Sequence, residues 1–268
     1  ARFPNGLANN SGNVGRHLMF SGLSRGHGLF RYRNRSETGA AQGKLADRSW
    51  MGDDAPFVQR SLQDAYLLKD PVNGVRKAGT VLFGFSHPNP IFTAERVAAE
   101  GGGKLAWGKA LKERLRAQAR DARALEFETY AESFANAGTY VDLDPKTVDR
   151  YGLPAARMTV QRHPLDHAAT GLLREQALSV LRALGADSTD VTVESSEMTV
   201  LQGGTCRSGR DPKTNVLDEN CRAHEVDNLY VTDGSFLPTI GGAPLTLTIA
   251  ANSFRVAHGL VQRLKKGG

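Results

Sequence analysis

The 268-residue sequence predicts an α+β or α/β fold in which a mixed or antiparallel sheet carries helices on one face. Three observations predict it. Short β-branched or alternating segments recur through the first two hundred residues. Long stretches with apolar residues at helical spacing lie between and after them. The composition, 40% hydrophobic and 23% charged, is that of a chain that packs a core rather than a disordered or coiled-coil chain.

The elements follow in order. Residues 1–50 are rich in Gly, Asn, Ser and Arg and hold one predicted strand, residues 29–33. TVLFGFS, residues 80–86, is β-branched and aromatic and is ended by His87, Pro88, Asn89 and Pro90. Residues 104–123 bring Lys104, Lys109, Lys112, Arg114, Arg116, Arg120 and Arg123 against Glu113 and Asp121, with Leu111, Leu115, Ala119 and Ala122 at helical spacing. That pattern is an amphipathic helix with a solvated basic face, and no zinc finger, helix-turn-helix or stacking motif makes it a nucleic-acid site.

Strands are expected at residues 125–131, where LEFET alternates, and at 139–143 and 157–161, with Asp144-Pro145 and Gly152-Leu153-Pro154 as punctuation. A helix over residues 165–184 places Leu172, Leu173, Ala177, Val180, Leu181 and Leu184 on one side, and Gly185 closes it. Strands at 191–194 and 198–201 precede the glycine-rich loop Gly203-Gly204-Thr205-Cys206-Arg207-Ser208-Gly209. NLYVT, residues 228–232, is a further strand ending at Asp233-Gly234. The last helix, residues 246–264, carries Ala250, Phe254, Ala257, Val261 and Leu264 as its apolar stripe.

The net charge of +6 is concentrated in the basic helix. No segment has the ~18 to 20 apolar residues of a bilayer span. The opening ARFPNGLANN has no apolar core of a signal peptide, and Ala1 rather than Met suggests a processed chain or a piece of a longer one. A soluble protein is expected, cytoplasmic or periplasmic. Two cysteines, Cys206 and Cys221, could bridge or remain thiols and define no framework.

Strand, Asp-Gly turn, loop and helix N-terminus can hold an anionic or electron-accepting ligand, because helix-terminal amides favour negative charge. The spelling of this segment adds to the pattern. GGTCRSGRDPKTNVLD, then RAHEVDNLYVTDGSFLPTIGGAPLTLTIAANSFRVA, closely resembles the C-terminal signature of the glucose-methanol-choline (GMC) flavoprotein oxidoreductases. VDLDPKTVDRYGLPAARMTV and FPNGLANNSGNVGRHLMF are similar to upstream parts of the same family.

The resemblance implies that residues 1–20 end a segment of the FAD domain, 21–200 form the substrate domain, and 201–268 return to the FAD domain. It implies FAD contacts at Asp233 and Gly234, near the ribityl and pyrophosphate, and at Pro244, Leu245, Thr246 and Leu247, near the pyrimidine edge. The activity implied is oxidation of the CH–OH group of a sugar or other alcohol by hydride transfer to flavin. Helix-terminal amides would then stabilise negative charge at N1 and O2 of the reduced flavin. By residue type alone Asp233 is a turn former and Thr246 a helix cap.

Two departures qualify that expectation. The strand and GxGxxG turn that bind the ADP half of FAD in this family are absent from the sequence, so an N-terminal segment or a second chain would have to supply them. Leu201 stands at the family's catalytic histidine, four residues before Thr205, and Pro244 at the position of its His or Asn partner. Neither can take a hydroxyl proton, and a one-residue slip offers only Gln202. A catalytically silent subunit that stabilises a partner chain is therefore the alternative.

The other candidates carry less. His163 and His167, four apart, could share a metal, but no third ligand is evident and a capping or surface role explains them; no metal is expected. His224 falls in a loop, His258 beside the last helix's stripe, and His17, His27 and His87 in loop-like sequence. Asp142 and Asp144 suit a bend better than calcium. Cys206, beside Arg207, could have a lowered pKa.

Overall fold

The computed structural model describes residues 5–31, 60–70, 74–85, 91, 94–95, 98, 105–116, 122–193 and 200–266. A five-stranded antiparallel sheet forms the centre, its strands lying side by side in the order 188–193, 25–31, 122–131, 79–85 and 60–62. Its members are β2 (Arg25–Arg31), β3 (Arg60–Leu62), β6 (Gly79–Phe85), β7 (Ala122–Ala131) and β10 (Ser188–Val193). Three two-stranded pairs accompany it. They are β1 (Met19–Phe20) with β11 (Gln202–Gly203), β4 (Leu67–Asp70) with β5 (Gly74–Lys77), and β8 (Tyr140–Val148) with β9 (Pro154–Thr159).

Among the described residues, three helices can be given bounds: α1 (Gly108–Arg116), α2 (Pro164–Ala183) and α3 (Thr246–Lys265). α2 covers one face of the sheet, packing on β7, β2 and β6. Pro164 at its first turn and the His163 ring, whose Nδ1 accepts from the Leu165 amide at 3.2 Å, start it. Its inward stripe is Ala169, Thr170, Leu173, Ala177, Leu178 and Leu181, which meets Phe30, Val81, Phe83, Leu125 and Phe127 in the larger core. Leu172, expected on that side, is exposed, because the stripe runs through 166, 169, 170, 173 and 177 instead.

A second core gathers Met19, Leu217, Cys221, Ala223, Phe236, Leu237, Ile240, Leu245 and Val256, joined by Ala8 from the first segment. α3 lies over it, but not by the expected stripe. Phe254 is 79% exposed and Leu264 66%, and Ala250, Ala257 and Val261 are exposed as well. Polar anchors set the inner side: Asn252 Nδ2 donates to Cys221 Sγ at 3.3 Å, Ser253 Oγ to the Thr232 carbonyl at 3.1 Å, and an Arg255 guanidinium nitrogen to the Glu219 carbonyl at 2.9 Å.

Other expectations shift for identifiable reasons. The basic helix ends earlier than residue 123, because Ala122 and Arg123 already pair with Arg31 and Phe30 in the sheet; Lys104 and residues 117–121 lie outside the described residues. NLYVT forms no strand: its neighbour 221–223 offers one isolated bridge, Arg222 to Tyr230. Of the strand expected at 198–201, Val200 and Leu201 lie in no strand, and β11 begins one residue later; residues 198 and 199 lie outside the described residues. β8 runs on through Asp144-Pro145 with a shift of register between Leu143 and Val148, and Asp144 Oδ1 accepts from the amides of Lys146 and Thr147 at 2.8 Å each.

Candidate functional site

Three segments of the last third of the chain converge at the second core. The glycine loop runs beside the Asp233 turn: Gly204 N–H donates to the Gly234 carbonyl at 3.4 Å, Cys206 N–H to the Ser235 carbonyl at 2.9 Å, and Ser208 N–H to the Phe236 carbonyl at 2.8 Å. Asp233 caps the 3-10 turn Gly234–Phe236, its Oδ1 accepting from the Ser235 amide at 2.8 Å and the Ser235 hydroxyl at 2.5 Å. Gly234 is wedged between β11 and α3. A β-carbon there would stand 2.6 Å from the Gln202 carbonyl oxygen and 3.3 Å from Ile249 Cδ1, so only glycine lets the turn come this close.

The start of α3 completes the group. Leu245 is its N-cap, with φ −87° and ψ −22°, and makes no side-chain capping bond; the first turn holds no acidic residue. Leu245 is buried, whereas Pro244, Thr246 and Leu247 are exposed, Leu247 at 82%. The first turn of this twenty-residue helix thus lies among exposed side chains and carries no carboxylate of its own. Its amides are the positive end of the helix dipole. Of the residues implied by the resemblance, the structure brings Gly234 against Ile249, one turn into α3, with Asp233 preceding it in the same turn, while Thr246 and Leu247 are the first two residues of the helix.

Leu201 sits at φ +55°, packed in part against the second core, so an apolar side chain occupies the position where a proton acceptor was sought. Pro244 brings no titratable group. His17 is the residue that sequence reasoning undervalued. It lies at φ +57°, and its carbonyl oxygen is so close to Gly204 that a β-carbon there would meet it at 2.3 Å. Burial, then Arg207 and Arg16, push the imidazole below its usual pKa, and its buried Nδ1 has no hydrogen-bond partner among the described residues. Nothing in GNVGRHL signals this; the neighbour arrives from residue 204.

The remaining candidates resolve into structural roles. Burial raises the Cys206 thiol, which overturns the expected lowering by Arg207; the Ser235 hydrogen bond opposes the rise and the Asp233 charge adds to it. Cys206 and Cys221 are both free thiols. His224 Nε2 lies 3.0 Å from the Gly209 carbonyl oxygen, and His167 and His258 are exposed. His27 lies within β2, and His87 falls outside the described residues. Asp142 pairs with Arg157 through contacts of 2.6 and 2.9 Å, and Asp144 holds its own turn; both carboxyls lie below their usual pKa. Among the described residues no cluster of three His, Cys, Asp or Glu is placed to hold a metal, and no helix is long and apolar enough to cross a membrane.

Comparison with known proteins gives this geometry a setting. Residues 135–253 match the family model described as GMC oxidoreductase, a span that includes the Asp233 turn and the start of α3. The chain is 30% identical over 271 aligned positions to paromamine 6′-oxidase of Streptomyces fradiae, covering 98% of this chain and 42% of that protein. It is 33% identical over 149 positions to 6‴-hydroxyparomomycin C oxidase of Streptomyces lividus, covering 54% of this chain and 26% of that protein. With 2-methyl-1,2-propanediol dehydrogenase of Mycolicibacterium austroafricanum the identity is 35% over 130 positions, 46% of this chain and 22% of that protein. The chain therefore spans less than half the length of these relatives.

Proposed function

Because the chain belongs to the GMC oxidoreductase family, whose C-terminal portion it matches, we propose that it is the substrate-side and flavin-closing part of an FAD-dependent enzyme that oxidises the CH–OH group of a sugar or other alcohol. The observation that carries the reading is the uncapped, acid-free start of α3 beside the Asp233–Gly234 turn. Relatives named as an oxidase of paromamine at its 6′ position and as a dehydrogenase of a propanediol support the hydroxyl as the reacting group.

The residues present suit the flavin end of FAD. When bound, FAD supplies the two-electron acceptor. The amides of Thr246 and Leu247 would then meet the electron-rich pyrimidine edge with the positive end of the helix dipole, and the missing acidic cap leaves that charge uncancelled. Asp233 holds the neighbouring turn through Ser235, and Gly234 keeps that turn against β11. The ADP half is assigned to an N-terminal FAD-binding half or to a second chain. The exposed α3 stripe, with Phe254 at 79% and Leu264 at 66%, supports such a partner, since a continuous apolar face of this length is normally covered.

The division into residues 1–20, 21–200 and 201–268 is part of the same proposal. Its support is the pair of separate cores: Ala8 and Met19 join the one built from residues 201–268, while the sheet and α2 keep their own.

A second reading, a catalytically silent GMC-like subunit, is favoured by Leu201 and Pro244. Removing a hydroxyl proton needs a base near neutral pKa, and neither residue is one. The two readings separate on the protein as its host makes it, holding flavin. Bleaching of the flavin band by alcohols or sugars supports the enzyme; a flavin that no such compound bleaches, but that Leu201→His with Pro244→Asn makes responsive, supports a site that has been lost. Absence of flavin contradicts both the cofactor and the activity.

A further inference from the structure

The two cores meet along the residues that lead into α3, and directed hydrogen bonds span that seam. Asp166, in the first turn of α2, is 3% exposed. Its Oδ2 accepts from the Ser133 hydroxyl and its Oδ1 from the Phe134 amide, each at 3.0 Å. Ser133, equally buried, donates its own backbone N–H to the Ile240 carbonyl at 3.1 Å. Two residues further on, the Thr80 hydroxyl from the start of β6 donates to the Gly242 carbonyl at 2.9 Å, again away from water.

The approach to α3 is therefore held at two carbonyls, 240 by the amide of Ser133, which follows β7 and is itself bonded by Asp166 of the covering helix, and 242 by Thr80 of β6. Leu245, the uncapped N-cap, follows three residues later. A helix end without its own cap takes its position from the chain that enters it. Buried polar bonds fix direction as well as distance, because leaving either partner unpaired is costly. Apolar contact alone would allow sliding. Burial raises the Asp166 carboxyl above its usual pKa, against the pull of its bonds from Phe134 and Ser133 and of His163 and Arg162 nearby, so this acceptor is retained at some cost in solvation.

We propose that Asp166 and Thr80 are positioning residues that hold residues 240–245, and through them the start of α3, in fixed relation to the substrate-side sheet. The inference rests on the flavin-facing reading of that helix start. Neither residue touches the helix start; Thr80 acts directly on the Gly242 carbonyl, and Asp166 acts one step further back, through Ser133. Their consequence for the reaction is that the sheet that lines the substrate side and the amides that face the flavin move as one body, which is what a short transfer distance requires.

The test uses Thr80→Val, Asp166→Ala and Asp166→Asn in the protein as its host makes it, followed by amide exchange and by the midpoint potential of the flavin. Thr80→Val and Asp166→Ala should speed exchange of residues 241–249 about tenfold while β7 and the middle of α2 keep their protection. Asp166→Asn should restore much of it, since its carbonyl can accept from Phe134 and its amide can donate to Ser133. The potential should move with the exchange and recover with it.

Unchanged exchange at 241–249, or exchange raised equally across β7 and α2, overturns the proposal, the latter because it describes general loosening. A loosened approach with an unaltered flavin potential overturns the positioning role. If the parent protein holds no flavin, the reading of function fails by itself, and the exchange pattern still decides whether the two residues hold the approach.

Discussion

Gly242 and Gly79 meet backbone to backbone: a β-carbon on Gly242 would stand 2.3 Å from the Gly79 α-carbon and 3.1 Å from the Ala78 carbonyl oxygen. The loop that enters α3 thus lies directly on the first residue of β6. Gly242→Ala must push this loop outward or distort the strand, since both obstacles are main chain. The expected loss is ~1–3 kcal/mol of stability. Urea unfolding measures it, and a midpoint equal to that of the parent would show that the loop does not sit there.

Asp233→Ala removes the acceptor for both the amide and the hydroxyl of Ser235. Loss of a cap of this kind costs ~0.5–2 kcal/mol. Because the turn sits beside α3, FAD retention should fall as well, read as the ratio of flavin to protein absorbance after gel filtration. Asp233→Asn, which keeps one acceptor, should lie between the two. A variant that loses stability yet keeps its full flavin would place the cofactor elsewhere.

Glu132 makes a pH dependence. It is 8% exposed, and burial raises its carboxyl above the usual 4.5; Lys77 opposes this and Asp166 adds to it. An acid whose folded pKa is raised binds its proton more tightly in the folded state. Its stabilising share is therefore full below about the unfolded value and is lost as pH rises through the folded one. Glu132→Gln should flatten this fall, so that the urea midpoint changes less between mildly acidic and neutral pH than in the parent. An unchanged slope would mean that Glu132 is solvated as an ordinary surface acid.

The exposed stripe of α3 yields a prediction about assembly. Phe254→Lys changes a side chain that is 79% exposed, so the chain's own fold should hardly respond. If the stripe is where an FAD-binding part rests, the same change should release that part or lower the flavin content. Native mass spectrometry distinguishes the cases. Full retention of partner and flavin would argue that the stripe faces water.

Much of the architecture was legible in the residues. TVLFGF has the β-branched and aromatic content of a buried strand and became β6; the helix expected from residue 165 starts at Pro164, and that expected from 246 starts there. These signals are local. What escaped was set by distant neighbours. Periodicity identified Phe254 and Leu264 as one apolar face of α3, but Asn252, Ser253 and Arg255 turn the opposite face inward by bonding to residues 221, 232 and 219. NLYVT has strand composition without a strand to pair with. The candidate site divides in the same way: Asp233 and Thr246 are readable as turn and helix start, whereas His17 enters only because Gly204 folds back upon it.

Whether this chain is part of a flavoprotein is read most directly from the visible absorption spectrum of the protein isolated from its native source, taken with the mass of every polypeptide present. Flavin bands at about one FAD per chain are expected, together with an FAD-binding segment continuous with this chain or carried by a second one. A colourless preparation in which this chain is the sole polypeptide would contradict that expectation.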